Sequence, residues 1–308
     1  MNIPEFPEWK SIDRDMRPEL HPRLSIIPDG ISEFTFAGLY LFRNTYQYRL
    51  SRLPGMRLAI SGIKEGKRFF MLPCGLPDDP AVCKALFSDH DYLKGLSESN
   101  ADPVRIRLEN AGYVIEEDRD NFDYLYLRKD LADLTGKQYH KKRNHVNAFI
   151  NNYAYDEQPL TPANTDDALQ ILEEWQRTHD GENDYAAARE ALEHWQELDL
   201  NGYIVYVDRK PAAYTLGEPL ARGRSFVVHF EKAVGDYRGI YQFINKAFAC
   251  MLPRHYIHIN REQDLGDEGL RQSKMTYRPC GFVKKYRVYR AETENNAGSN
   301  ATDSQERS

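Results

Sequence analysis

The sequence predicts an α/β (α+β) protein built as two domains in tandem. Three observations lead there. The chain has 308 residues, where one domain takes roughly 100–200. Hydrophobic residues make up 41% and charged residues 29%, a balance that builds packed cores and differs from that of a disordered chain. Runs of alternating hydrophobicity and apolar stripes at helical spacing follow one another through both halves.

The first thirty residues carry prolines at 4, 7, 18, 22 and 28 and read as an N-terminal arm, 1–30, with short helical turns. Ser32 is expected to cap a helix on which Phe36, Leu39, Tyr40 and Arg43 share a face. Arg57–Ile63 and Lys67–Leu72 alternate on either side of Lys64-Glu65-Gly66, a hairpin signal. Residues 79–97 read as helical. Val104, Ile106 and Leu108 alternate, which suggests a strand over 103–108, and Tyr113–Glu117 with Asp123–Arg128 reads as a second strand pair. A basic helix follows at 136–150. Tyr139, Val146, Phe149, Ile150 and Tyr153 form its apolar stripe, while Lys137, Lys141 and His145 form another row. Its end marks the boundary of the first domain, 31–150.

The second domain, 151–290, opens with a strand at 153–158 that Pro159 ends. A helix at 164–178 buries Ala168, Leu172 and Trp175, and one at 184–198 buries Ala188, Leu192, Trp195 and Leu198. Tyr203–Val207 and Ala212–Gly217 form a hairpin about Asp208-Arg209-Lys210-Pro211, which Ser225–Glu231 continues. A helix from Gly239 to Leu252 carries Ile240, Ile244, Ala247 and Met251. Tyr256–Asn260 is a strand, 266–275 a short helix and 282–289 a last strand. Residues 291–308 contain no large apolar side chain and read as a disordered tail.

Charge is unevenly placed. Lys and Arg total 41 against 47 Asp and Glu, a formal net charge of −6. The tail alone holds −3, and 156–199 holds thirteen acids and two bases. Residues 136–150 and 260–290 are each +4. The sum therefore excludes a wholly basic nucleic-acid coat but not a local basic groove. Cys74, Cys83, Cys250 and Cys280 form no CxxC pair and no disulfide framework. The uncharged run Phe34–Phe42 is nine residues long, well under the roughly 18–20 that span a bilayer. No secretory signal is visible at the N-terminus. The expectation is a cytoplasmic protein with no integral membrane segment.

The order β α α β β β α β α β in the second half resembles the GNAT fold of acyl-CoA N-acyltransferases, and the first half repeats its inventory. The strings LTGKQYHKKRNHVNAF, VVHFEKA, YRGIYQFIN and INREQDLGDEGLRQSKMTYRP, with SEFTFAGLYLFR near the start, resemble the soluble family related to the C-terminal domain of phosphatidylglycerol lysyltransferase. That resemblance covers about residues 25–289. It implies two GNAT-like domains, each a mixed, mainly antiparallel sheet flanked by helices, and a kinship with Fem-type aminoacyltransferases, which take an aminoacyl group from a charged tRNA. The loop Gly235-Asp236-Tyr237-Arg238-Gly239 departs from the [QR]xxGx[GA] pattern of acyl-CoA enzymes. Tyr237 stands where a small residue is expected, and Asp236 adds negative charge. Gly235, Arg238 and Gly239 are the residues that would cradle a CoA pyrophosphate.

Candidate site residues fall into four groups. Lys141, Lys142, Arg143 and Asn144 form a basic row suited to phosphates, with a solvated helix face as the plain alternative. Asn260, Arg261, Glu262 and Asp264 leave a strand end, where polar residues commonly line an α/β cleft. Arg271 and Lys274 are helical neighbours that could grip a phosphate or carboxylate, or tie Arg271 to Glu262 or Asp264. His229 and Glu231 share one strand face. An acyl transfer places Glu231 as the base and Lys274 with Tyr277 as stabilisers of the tetrahedral oxyanion. Asp264 or Glu262 would hold the donor's α-ammonium. No metal-ligand set, GxSxG, P-loop or Rossmann glycine motif occurs.

The leading expectation is an aminoacyltransferase using charged tRNA as donor co-substrate, with no resident cofactor. Its acceptor would be a small-molecule, peptide or lipid amine or hydroxyl. An acyl-CoA-dependent N-acyltransferase and a non-catalytic tRNA- or nucleotide-binding module are the alternatives.

Overall fold

The structure is a computed structural model that describes residues 3–179 and 184–291. The expected tail therefore lies outside the described residues, apart from Ala291. The first half contains β1 (Lys10–Ser11), α1 (Arg17–Ser25), α2 (Phe36–Leu41), β2 (Arg49–Arg52), β3 (Leu58–Lys64), β4 (Lys67–Met71), α3 (Pro80–Asp89) and β5 (Tyr92–Ser97). It continues with α4 (Glu98–Ala101), α5 (Arg105–Asn110), β6 (Tyr113–Glu117), β7 (Asp123–Leu127), α6 (Arg128–Asp133) and α7 (His140–Asn152). The second half contains β8 (Tyr155–Pro159), α8 (Thr165–Thr178), α9 (Tyr185–Glu193), β9 (Asn201–Val207), β10 (Lys210–Leu220), β11 (Ser225–Ala233) and α10 (Ile240–Met251). It ends with β12 (His258–Asn260), α11 (Glu268–Met275), β13 (Gly281–Val283) and β14 (Lys285–Arg290).

Two sheets organise these elements, in the orders β1-β2-β3-β4-β5-β14-β6 and β13-β7-β12-β11-β10-β9-β8. Pairing is antiparallel except at β4·β5 and β11·β12, which run parallel. A cut at residue 150 does not separate the sheets. β7 pairs with β12 and β13 in the second sheet, and β14 returns to lie between β5 and β6 in the first. The expected strand pair 113–117 and 123–128 is thus two strands of different sheets. The expected last strand, 282–289, is two short strands that change sheet at Lys284. Alternation reports which faces are buried but not which neighbour a strand takes.

Three local expectations change. Thr35, not Ser32, caps α2, its hydroxyl accepting from the Gly38 N–H at 3.0 Å. The helix expected over 79–97 stops at Asp89, because Tyr92–Ser97 pairs with β4 and β14. Residues 103–108 are helical: Leu108 alone of the alternating trio is buried, and Ile106 is 73% exposed.

The first thirty residues pack against the domains. β1 edges the first sheet, and α1 buries Leu20 and Leu24. Those side chains join a core that also contains Phe36, Leu50 and Phe69 from the first half and Leu172, Ala188, Leu192 and Phe230 from the second. Burying one apolar surface across both sheets fixes their relation. A bidentate ion pair between Arg43 and Glu190, both contacts 2.8 Å, joins the turn after α2 to α9.

Candidate functional site

Each parallel pair parts after a few residues. The β11·β12 register ends at Val227↔Asn260, and the β4·β5 register ends at Phe70↔Leu93. Between the two sheets lies a cavity of about 350 Å³. His229 and Glu231 on β11, Arg261–Gln263 after β12 and Lys274 on α11 line one side; Lys94, Glu33, Tyr46 and Tyr48 line the other.

The turn after β12 is held by its neighbours. Glu262 and Leu265 adopt φ of 54° and 53°, a left-handed conformation that side chains resist. The Lys274 ammonium donates to the carbonyls of Arg261 (2.6 Å), Glu262 (3.2 Å) and Gln263. Burial, helped by the Arg261 charge, pushes its pKa down to about 8. Lys274, expected as an oxyanion stabiliser, therefore pins this turn with its three carbonyl bonds while its side chain lines the cavity. Asn260 is fully buried, accepts from the Glu262 N–H at 2.8 Å, and donates to Gly30 and Asp123. Asp264 is equally buried. It accepts two bonds of 2.9 Å from Arg271, one of 2.6 Å from the Tyr124 hydroxyl and one of 3.2 Å from Arg119. Arg271 also pairs with Asp120 at 2.7 Å. Asn260, Asp264 and Arg271 are the frame of the site rather than groups open to a ligand. Neither Asp264, expected to hold an ammonium, nor Arg271, expected to grip a phosphate, lines the cavity.

The cavity wall itself is ionic. Arg261 donates to Glu231 at 2.7 Å. His229 lies between Glu262 at 2.8 Å and Glu218 at 3.0 Å. Burial opposes a charge on that ring, but the two carboxylates outweigh it and raise its pKa to about 10. Lys232 pairs with Asp184 at 2.6 Å and lies over the Trp175 ring. Across the cavity, Lys285 is fully buried between Glu33 and Asp123, the latter at 2.7 Å, and Asp123 also receives Ser32 and Asn260. Burial raises Glu33, yet the ammonium groups of Lys285 and Lys94 outweigh it, and its pKa is lowered to about 2.

The basic helix contributes less than its sequence suggests. Arg143 turns back to the carbonyls of Leu134 and Gly136, closing the loop before α7. Lys141 and Asn144 are exposed, Asn144 bonding to His140. Lys142 lies 3.7 Å from the centre of the Tyr277 ring, and burial with the Arg261 charge pushes its pKa down to about 8. Tyr277 is itself buried, packs against Tyr126 and does not line the cavity, so its expected place at the reacting centre is corrected. Neither do Lys141, Lys142, Arg143 or Asn144 line it.

The loop expected to cradle a pyrophosphate is closed by protein. Gly239 has φ of 90°, and a Cβ there would stand 2.1 Å from the carbonyl oxygen of His145. α7 thus seals the start of α10. The Arg238 N–H donates to the Tyr153 hydroxyl at 3.1 Å, and the Tyr237 ring stands edge-on to Tyr153. Gly235 lies under that same Tyr237 ring. Gly235, Arg238 and Gly239, the expected cofactor contacts, all make packing contacts with protein here. Among the described residues, no group of His, Cys, Asp and Glu is arranged to hold a metal ion.

The sequence profile of the family described as phosphatidylglycerol lysyltransferase, C-terminal, matches residues 24–289. The chain belongs to this family. A conserved protein of unknown function from Bacteroides thetaiotaomicron is 32% identical, covers 92% of this chain and 99% of its own, and superposes with a TM-score of 0.82. L-PGS from Bacillus licheniformis is 15% identical over 95% of each chain, with a TM-score of 0.58. FemX is 8% identical over 92% of this chain and 97% of its own, with a TM-score of 0.57. The last two likenesses show the fold. The two mixed sheets with their helices are GNAT-like domains in tandem, and family and fold together indicate an acyltransferase. Among the described residues, no helix is long and apolar enough to cross a membrane.

In this family member, reasoning from the sequence found one wall of the cavity: His229, Glu231, Arg261, Glu262 and Lys274. It missed Ser32, Glu33 and Lys94 on the other side, and Asp123 and Lys285 buried behind them. Glu33 sits in the quoted string SEFTFAGLYLFR, and its acid among aromatic residues was the available signal. Lys94 and Lys285 carried none, since a lone lysine, on the helix expected over 79–97 or on the last strand, reads as a solvated position.

Proposed function

We propose that this chain is an aminoacyltransferase, moving an aminoacyl group from a charged tRNA to an amine or hydroxyl acceptor inside the cavity between the two sheets. The observation that carries the reading is the pairing of a closed pyrophosphate loop with an open cavity walled by carboxylates and aromatic rings. A CoA donor would need the loop; an aminoacyl ester needs a small polar chamber. Glu262 and the rings of Phe42, Tyr46 and Tyr48 suit a cationic α-ammonium. In the transfer, the acceptor attacks the ester carbonyl, Glu231 takes its proton, and the ribose oxygen leaves and is protonated. Glu231 has one oxygen on Arg261, whose guanidinium is close enough to favour the developing oxyanion. Lys137, exposed in the turn before α7, and Lys141, exposed on α7, suit the tRNA phosphates. The acceptor is a small molecule, a peptide or a lipid, and the setting is the cytoplasm, where charged tRNA is held.

The test is turnover with radiolabelled aminoacyl-tRNA pools and a cell extract as acceptor source. Transfer of label from RNA is expected. Glu231→Gln should lower kcat by about 100-fold or more, the scale of general-base catalysis, with tRNA binding unchanged. Absence of transfer from every charged tRNA, or thermal stabilisation by acetyl-CoA, would overturn the reading.

A further inference from the structure

The two sheets part in corresponding ways. In the second, Arg261 is the first residue beyond the parallel pairing; in the first, that position is Lys94. Lys94 is 5% exposed and lines the cavity. The centres of the Tyr46 and Phe69 rings lie 5.4 Å from its ammonium, and Glu33 is 3.7 Å away. That separation is an ion pair beyond hydrogen-bond reach.

Its neighbours differ. Lys285 is engaged by Glu33 and Asp123, Lys274 by three carbonyls, and Lys232 by Asp184. Among the described residues, the Lys94 ammonium makes no hydrogen bond. A desolvated cation with unmet donors is costly unless something fills them. Lys94 and Asn121 also line a groove of about 1020 Å³ that opens on the first sheet beside Arg68 and Arg287. The Arg68 guanidinium forms no ion pair within 4.0 Å among the described residues, so in a groove that Asp91, Glu116 and Asp118 also line it is the cation offered to an incoming anion.

We propose that Lys94 anchors an anion site at the neck between cavity and groove, taking a carboxylate or phosphate group of a small ligand that enters past Arg68. The site stands whatever donor the cavity uses.

Inorganic phosphate and acetate, each titrated by calorimetry at constant ionic strength, separate the two anion classes. Saturable binding of phosphate alone assigns a phosphate site, and of acetate alone a carboxylate site. Lys94→Gln should weaken it at least tenfold and Arg68→Gln severalfold. No binding of either anion, or equal binding by Lys94→Gln, overturns the proposal. A second measurement needs no variant. In the unmodified protein the bound anion should slow acetylation of Lys94 by an N-hydroxysuccinimide ester, read by peptide mass spectrometry, while Lys67 reacts as before. Equal rates at Lys94 with and without the anion overturn it.

Discussion

His229 Nδ1 lies 2.8 Å from Oε1 of Glu262, across the gap where β11 and β12 part. Glu218 holds the other ring nitrogen at 3.0 Å. The ring is charged in the folded protein, its pKa raised from 6.5 to about 10. A raised pKa stabilises the fold fully below the unfolded value, and that contribution is lost as pH climbs through the folded one. Urea midpoints should therefore fall between pH 6.5 and 10. An NMR titration of His229 with a midpoint near 6.5 would refute the assignment.

Gly239→Ala tests the seal between α7 and α10. The new Cβ would overlap the His145 carbonyl, and its φ is one that alanine resists. A loss of about 2–4 kcal/mol is expected, at the upper end of single substitutions. Thermal melting of the variant measures it; an unchanged Tm would mean the two helices are not in contact.

Lys285→Met removes the cation shared by Glu33 and Asp123. Two buried carboxylates then lose their principal partner, and about 3–5 kcal/mol of stability should go with it. Chemical denaturation of the variant beside the parent protein gives the number. A loss below about 1 kcal/mol would show that the network is not closed in solution.

Acid should probe the same network from its other side. Glu33 has its pKa lowered from 4.5 to about 2, despite burial, by Lys285 and Lys94. Its contribution is present above pH 4.5 and lost as pH falls through about 2. Glu33→Gln should flatten the stability profile in that window. A variant as acid-sensitive as the parent would place the acid response elsewhere.

How far the sequence reached varies with the interaction. Helices α7, α8 and α10 were legible from their apolar spacing, since a stripe such as Ala168, Leu172 and Trp175 is set within one segment. β7 and β14 were legible as strands but not as partners, because pairing is decided between segments. The site divides in the same way. His229 and Glu231 could be placed together because they alternate on one strand. Tyr277 and Lys274 lie near that wall in sequence pattern, yet burial turned one into packing and hydrogen bonds turned the other into a pin.

The sequence alone determined the class of the chain, its two-part build, the strand that carries His229 and Glu231, and the departure of Gly235–Gly239 from a CoA loop. These are local matters of period, composition and motif. Only the tertiary structure decided that β7 and β14 change sheets, that Glu33 and Lys94 face His229 across one cavity with Lys285 buried against Glu33, and that Asp264 and Arg271 pair with each other beside it. The reason is physical: a charge acquires its role from burial and partners, and those are supplied by residues far away in the chain.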